Sequence, residues 1–193
     1  MQAVSVIERV TATLRELMAD RGVPAAEIAV VENDEGRTVV LGGTEIVAVV
    51  AAGPGHAPKV GIGVVRETAR RYPGRDMILV SDGGATPYIA GHPEEIEETT
   101  GGRRVETFRT AELQFNVTQH ALVPRHWRME PAEVDECLRR HGVADAGHLP
   151  RIAASDPVVR YYGWPCGTVV GVDRCDMNDT GLAVRSTGVR VVT

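Results

Sequence analysis

Apolar residues in the first twenty positions recur at steps of three and four, which predicts an amphipathic helix that ends before Gly22. Short runs rich in Val and Ile follow, separated by turn sequences such as Asn33-Asp34-Glu35-Gly36 and Gly53-Pro54-Gly55. These runs predict strands at Ile28–Val31, Thr38–Leu41, Glu45–Ala51 and Met77–Ser81, with helices near Val60–Arg71 and Pro93–Glu98. Strands that alternate with helices indicate an α/β layer over residues 1–110.

The second half has a different pattern, which indicates a small α+β domain over residues 111–193. Pro131–His141 predicts a helix, with proline in its first turn and Gly142 as its stop. A shorter helix is expected at Pro157–Tyr161, because Asp156 before it is a good N-cap residue. Strands are predicted at Val105–Phe108, Leu113–Val117, Thr168–Arg174 and Leu182–Val192, the last two joined as a hairpin across Asn178–Gly181.

The charge balance argues against a protein that binds DNA by itself. The net charge is −5; residues 1–110 hold 12 basic and 16 acidic side chains, and residues 111–193 hold 9 and 10. Proteins that bind nucleic acid alone usually have a basic surplus, because phosphate contacts dominate their affinity. We therefore expect any DNA contact to be local and to be held in place by partner proteins.

Composition also limits the compartment. No apolar run approaches the roughly 20 residues that span a bilayer, and the N-terminal segment contains Glu8, Glu16 and Asp20 rather than a signal peptide's apolar stretch. Three cysteines, at 137, 166 and 175, form no CxxC pair. We expect an intracellular protein with reduced thiols and no membrane association.

The sequence contains no convincing catalytic, cofactor or metal motif. Asp176-x-Asn178-x-Thr180-Gly181 begins like a calcium loop, but Thr187 stands where a bidentate Glu is required, so a hairpin turn is the better interpretation. Gly61-x-Gly63 is a weak match to a dinucleotide fingerprint, and the six histidines show no HExxH pattern. We expect no catalytic residue, no cofactor, no metal and no small-molecule substrate.

Two blocks of residues in the second half resemble the RNA polymerase subunit 5 family, which includes a shorter archaeal counterpart without the N-terminal half. The first block is Asn116-Val117-Thr118-Gln119-His120-Ala121-Leu122-Val123-Pro124-Arg125-His126. The second contains Leu149-Pro150-Arg151-Ile152 and Asp156-Pro157-Val158-Val159-Arg160-Tyr161-Tyr162-Gly163. Before residue 105 the resemblance is thinner; it rests on the helix end Asp20-Arg21-Gly22 and on the Thr86-Pro87 loop.

The resemblance implies two domains in a non-catalytic subunit of a multisubunit DNA-dependent RNA polymerase. Residues 111–193 would be the assembly domain, similar to the archaeal counterpart, which docks on the largest subunit. Residues 1–110 would be the jaw domain, which is similar in fold to restriction endonucleases, catalytically dead, and placed beside downstream double-stranded DNA. The expected subunit-interface residues are His120, Val123, Pro124, His126, Leu149, Pro150, Arg151, Asp156, Pro157, Arg160, Tyr161 and Gly163, and the expected DNA-proximal residues are Thr86, Pro87 and Tyr88.

The sequence leaves several alternatives open. Each matched residue can contact a partner or only fill the scaffold. A free-standing transcription adaptor would use the same C-terminal domain away from the polymerase. A nuclease would need clustered carboxylates and a lysine, yet Lys59 is the only lysine and follows Ala57-Pro58. The source could be a giant virus, with the protein in the virion or the infected cell, or a eukaryotic nucleus.

Overall fold

The first helix, α1 (Val6–Asp20), forms where the apolar spacing predicts it. Its N-terminus is closed by a capping box, in which Ser5 and Glu8 accept hydrogen bonds from each other's backbone N–H. The residues that recur at helical spacing, Val10, Leu14, Leu17 and Met18, are 0% exposed. In this computed structural model, residues 5–32, 38–51, 59–177 and 183–193 are described.

The described chain divides into an N-terminal unit, Met1–Asn116, and a C-terminal unit, Val117–Thr193. The N-terminal unit contains a five-stranded sheet in the order β1-β2-β3-β4-β5, antiparallel from β1 to β3 and parallel from β3 to β5. Its strands are β1 (Ala29–Glu32), β2 (Thr38–Gly42), β3 (Ile46–Ala51), β4 (Asp76–Ser81) and β5 (Val105–Arg109).

Helices cover the N-terminal sheet. The helix α2 (Ile62–Arg71) connects β3 to β4, and α3 (Pro87–Gly91) and α4 (Pro93–Thr100) connect β4 to β5. Val65 of α2 and Ile96 of α4 pack with Val47, Met77 and Leu79 of the sheet. The alternate strand residues are also buried, and α1 contacts β2 and β3. The continuous apolar run of β4 is therefore explained by burial on both faces, which is typical of parallel strands.

The C-terminal unit contains a four-stranded sheet in the order β6-β8-β9-β7, with β7 parallel to β9 and the other pairs antiparallel. A helix packs on each face. Val159 of α6 lies against Ile152, Val170 and Val172, and Cys137 of α5 lies against Val169 on the other face. The elements are β6 (Arg125–Arg128), α5 (Pro131–His141), β7 (Arg151–Ile152), α6 (Pro157–Tyr162), β8 (Val169–Met177) and β9 (Ala183–Val192).

Most predicted elements are confirmed, but the strand predicted at Leu113–Val117 is wrong. Short 3-10 turns occupy Thr110–Leu113 and Val117–Gln119 instead. The Glu112 carboxylate accepts from the Arg109 N–H at 2.7 Å, and the Asn116 side chain donates to Glu16 of α1 at 2.8 Å. These bonds hold the backbone in turns, and no ladder partner lies beside it among the described strands.

The structure also contains elements that the sequence pattern does not predict, and some predicted turns lie outside the described residues. Val105–Arg109 forms the edge of the N-terminal sheet, and the structure also contains α3, β6 and β7, which the apolar pattern does not predict. The predicted turns Asn33-Asp34-Glu35-Gly36, Gly53-Pro54-Gly55 and Asn178–Gly181 lie outside the described residues, and so do Asn178, Thr180 and Gly181 of the calcium-like loop.

Candidate functional site

The two sequence blocks of the C-terminal half meet at one open groove of about 530 Å³. The first block contributes the segment that leads into β6, and the second contributes β7 and the start of α6. The ends of β8 and β9 complete it. The lining residues are Val117, Leu122, Val123, Pro124, His126, Arg151, Ile152, Ala153, Asp156, Pro157, Val158, Val172, Arg174 and Arg190. Six of the twelve predicted interface residues therefore share one surface.

The second block owes its shape to the cap of α6. The Asp156 carboxylate accepts from the backbone N–H groups of Val158 and Val159 at 2.8 and 3.3 Å. Pro157 occupies the first helical turn, where no N–H is needed. The cap fixes Pro157 at the groove while Val158 and Val159 turn into the core.

Two histidines stabilise the first block. The His126 Nδ1 lies 2.7 Å from the Pro124 carbonyl oxygen, and because a carbonyl only accepts, Nδ1 donates this hydrogen bond. The His120 Nδ1 accepts from the Leu122 N–H at 3.2 Å. This turn presents Leu122 with 86% of its surface exposed, and the side chain lines the groove.

The groove also contains basic side chains. Arg151, Arg174 and Arg190 all line it. One Arg190 nitrogen donates to the Arg151 carbonyl oxygen at 3.1 Å, but within the part of the chain that the structure describes no carboxylate forms a salt bridge with any of the three. The groove therefore combines an apolar wall with guanidinium groups that lack a described carboxylate partner.

Two residues predicted at the interface lie in the core. Leu149 is 5% exposed and packs with Cys137, Val169 and Val191. Tyr161 of α6 is 2% exposed. Their side chains stabilise the C-terminal unit and offer almost no surface to a partner.

The remaining predicted interface residues lie near the ends of elements. Gly163 ends α6 with a φ of +67°, a conformation that glycine adopts without strain. Arg160 is half-buried in the last turn of α6, and His120 and Pro150 are exposed. Pro150 lines a separate pocket with His141, Arg174 and Arg190.

Eight of the fourteen residues that line the groove are not among the predicted interface residues, and these eight include the exposed Leu122 and the basic Arg174 and Arg190. Leu122 is not among the predicted interface residues, although it precedes Val123-Pro124 in a segment without helical or strand periodicity, which is the signal that the sequence offers. Arg174 and Arg190 come from the two long strands, and only the pairing of β8 with β9 brings them to the same groove.

The predicted DNA-proximal residues lie at the start of α3. The N–H of Thr86, the N-cap residue, donates to the Val60 carbonyl oxygen at 2.9 Å. Its hydroxyl is buried without a hydrogen-bond partner among the described residues. Pro87 follows at the first helical position and is exposed, so the loop presents a rigid apolar corner.

Tyr88 belongs to an acidic environment. Its ring stacks on His92 with centroids 4.0 Å apart, and its hydroxyl donates to Glu95 at 2.5 Å. The hydrogen bond to the Glu95 carboxylate raises the pKa of Tyr88 above its usual range, with smaller contributions from burial and from the negative charge. Glu95 also pairs with Arg66 at 2.6 Å.

The described residues offer neither a metal cluster nor a membrane-spanning helix. No group of three or more His, Cys, Asp and Glu side chains among them lies close enough together to hold a metal ion. None of the described helices has both the length and the apolar character needed to cross a bilayer.

Comparison with known proteins finds similarity to RNA polymerase subunits. Residues 115–183 match the family model of the C-terminal domain of RNA polymerase Rpb5. The chain is 34% identical over 119 residues to DNA-directed RNA polymerases I, II, and III subunit RPABC1 of Caenorhabditis elegans, covering 60% of this chain and 54% of the relative.

Two other relatives give similar matches. The Dictyostelium discoideum DNA-directed RNA polymerases I, II, and III subunit rpabc1 is 34% identical over 123 residues, covering 61% of this chain and 60% of the relative. The Arabidopsis thaliana DNA-directed RNA polymerase subunit 5-like protein 1 is 39% identical over 124 residues, covering 63% and 58%. The matches thus span little more than half of the relatives' length.

Proposed function

We propose that the chain is a member of the RNA polymerase subunit 5 family and a non-catalytic subunit of a multisubunit DNA-dependent RNA polymerase. The relatives are named as polymerase subunits, and residues 115–183 match the family's C-terminal domain. The C-terminal unit is proposed to dock on the largest subunit and to act as an assembly domain.

The observation that carries this proposal is the groove. Two blocks, 117–126 and 151–158, are separated along the chain by α5, yet they line one surface. That surface includes Leu122, an apolar side chain that is 86% exposed. A large exposed apolar side chain beside basic groups is typical of a protein-binding surface.

Within this proposal the groove residues have distinct roles. Leu122, Val123 and Pro157 provide apolar contact, and burial of such groups on binding is favourable at about 25 cal/mol per Å². Arg151 provides a forked donor suited to carboxylates. His126 offers its Nε2 for a hydrogen bond, because Nδ1 is engaged with Pro124.

For the N-terminal unit we propose the position of a jaw beside downstream DNA, with Pro87 and its neighbours Thr86 and Tyr88 nearest the duplex. An exposed proline can press on a minor groove without reading sequence. The adjacent α4 carries acidic residues at 94, 95, 97 and 98, which repel phosphate. The contact is therefore weak, and Pro87→Asp in the assembled enzyme should change the log–log salt slope of DNA binding by less than about 1.

The protein is proposed to work inside the cell, in the nucleus if the source is cellular and in the virion or the infected cell if it is viral. The free-standing adaptor is the alternative that the experiment below separates from the subunit. A nuclease would need a metal site, and nothing in the described geometry favours that function.

The test is affinity purification of the tagged chain from its native source, followed by mass spectrometry. The two large polymerase subunits should be recovered in near-equal amounts with the chain. Leu122→Asp should reduce their recovery about tenfold or more, because truncating an interface hot spot costs about 2 kcal/mol or more. The control is Val31→Asp, an exposed apolar residue (59%) in the N-terminal unit.

Two outcomes would contradict the proposal. Recovery of the wild-type chain alone, or with other transcription factors and no large polymerase subunit, would replace the subunit with the adaptor. Equal recovery with wild type and Leu122→Asp would remove the groove as the docking surface.

A further inference from the structure

The last strand of the C-terminal unit has a long edge that no described strand covers. β9 runs over Ala183–Val192, and one side pairs with β8 along most of its length. On the other side β7 pairs only with Val191 and Val192. The edge before Val191 therefore has no strand neighbour among the described residues.

Hydrogen bonds at the covered end show which backbone groups face this edge. The Val191 N–H donates to Pro150 at 2.8 Å and the Thr193 N–H donates to Ile152 at 2.9 Å, both on the β7 side. The Val192 N–H donates to Thr168 at 2.9 Å, on the β8 side. Because orientation alternates along a strand, the N–H and C=O groups of Val189 and Thr187 point outward.

The surroundings of this edge are basic. A pocket of about 290 Å³ lies along it, lined by His141 and by residues 186–190 of β9. Arg174 and Arg190 line both this pocket and the groove described above, so the two cavities meet at these guanidinium groups. The single carboxylate among the described residues lining the two cavities is Asp156, which caps α6.

The register of β8 and β9 leaves space for a partner's side chain between Arg174 and Arg190. Arg174 pairs with Ser186 and Val170 pairs with Arg190, so both guanidinium groups project from one face of the sheet. Gly188 lies between them on that face, and a Cβ built there would meet only the Val172 carbonyl oxygen, at 3.9 Å. A carboxylate that enters this gap would lie between the two arginines.

We propose that the free edge of β9 binds an extended segment of a partner polypeptide, which adds a strand to the sheet and places acidic side chains beside Arg174 and Arg190. Backbone hydrogen bonds to Thr187 and Val189 supply affinity, and the arginines select acidic residues at alternate positions. The assignment of that partner as a polymerase subunit rests on the proposed function; the edge itself does not.

Amide hydrogen exchange on the purified full-length chain tests the edge directly. Without a ligand, the Thr187 and Val189 amides should exchange faster than those of Gly188 and Arg190, which face β8. A synthetic peptide of alternating valine and glutamate should slow Thr187 and Val189 by about tenfold or more, and a valine–lysine peptide should not. Slow exchange of these two amides before any peptide is added would mean that this chain covers its own edge. No change with the acidic peptide would mean that the arginines only prevent other strands from pairing with the edge. Either result overturns the proposal.

Two variants test the same edge in affinity purification from the native source. Thr187→Pro removes an outward N–H without breaking a β8–β9 bond, and Arg174→Glu reverses the charge in the gap. Each should reduce recovery of the partner about tenfold. The matched controls are Arg128→Pro and Arg128→Glu on β6, the opposite edge, where Met129 donates to Val169 and Arg128 therefore faces outward.

The two proposals fail in different ways. If the wild-type chain recovers large polymerase subunits and the Thr187→Pro and Arg174→Glu variants recover them equally well, the edge proposal is overturned and the subunit function stands. If the acidic peptide protects the edge but no polymerase subunit is recovered, the edge proposal stands and the subunit function falls.

Discussion

The two units use their charged side chains in different ways. In the N-terminal unit, Arg21 donates two hydrogen bonds to Glu106 at 3.0 and 2.8 Å, and Arg104 also contacts this carboxylate at 2.8 Å. The Arg21 and Glu106 side chains are only 9% and 13% exposed. In the C-terminal unit, the groove residues Arg151 and Arg174 form no described salt bridge.

This difference separates residues that hold the fold from residues that are available to a partner. The Arg21–Glu106 pair connects the end of α1 to β5. In the helix end Asp20-Arg21-Gly22, which resembles the family, Arg21 therefore stabilises the fold. The described salt bridges of the C-terminal unit lie on exposed positions, such as Glu136 with Arg139. The arginines that line the groove have no described carboxylate partner, and the proposed function makes them available to a binding partner.

The largest expected effect comes from the buried charge network. Glu106→Gln should lower the free energy of unfolding by about 2–4 kcal/mol, because it leaves two arginines without this counter-charge. The matched control, Glu136→Gln, removes an exposed partner and should cost less than about 0.5 kcal/mol. Urea denaturation measures both, and equal losses would show that the two units do not differ in this respect.

Packing in the C-terminal unit gives the next largest effect. Trp127 of β6 lies over Gly171 of β8, and a Cβ at position 171 would overlap the indole ring. Gly171→Ala should therefore destabilise the unit by about 1–3 kcal/mol in thermal unfolding.

The control for this substitution is Gly63→Ala in α2, where an added Cβ meets nothing within 4 Å. This change should stabilise the protein by up to about 1 kcal/mol, because alanine favours helix more than glycine does. A neutral Gly171→Ala would mean that the Trp127 ring moves away freely.

A smaller effect tests whether Asp156 serves the helix or the groove. Asp156→Ala should cost about 1 kcal/mol through loss of the cap of α6, whereas Asp156→Ser keeps a capping oxygen and should cost only a few tenths. Thermal unfolding distinguishes the two variants. If serine is as damaging as alanine, the charge of Asp156 matters, and it offsets part of the basic charge of the groove within the chain.

The smallest effect concerns ionisation of Tyr88. Because the hydrogen bond to Glu95 raises its pKa, the protonated phenol is favoured in the folded protein. Its contribution to stability is complete below about pH 10 and is lost as the pH rises through the folded pKa. Glu95→Gln should lower this pKa, as measured by the ultraviolet absorbance of tyrosinate with Tyr88→Phe as reference. An unchanged titration would show that the hydrogen bond does not persist in solution.

The sequence predicted the elements whose ends are fixed by nearby residues, such as a proline in the first turn or a glycine after the last one. Pro131–His141 forms with the predicted bounds, because a proline in the first turn and Gly142 at the end act within a few residues. The β7 strand has two residues, Arg151 and Ile152, and exists only because β9 lies beside it. A strand of two residues is too short to be predicted from the periodicity of apolar residues.

The candidate site also has features that the sequence predicted and features that only the tertiary structure shows. The sequence by itself determined the two motif blocks, most helices and strands, and the cap at Asp156, since these depend on residue types at short spacing. Only the tertiary structure decided which motif residues are available to a partner. Leu122 and Leu149 are both leucines close to a proline, yet they are 86% and 5% exposed. The difference arises because Cys137, Val169 and Val191, distant in sequence, pack against Leu149, whereas a hydrogen-bonded turn holds Leu122 in the solvent.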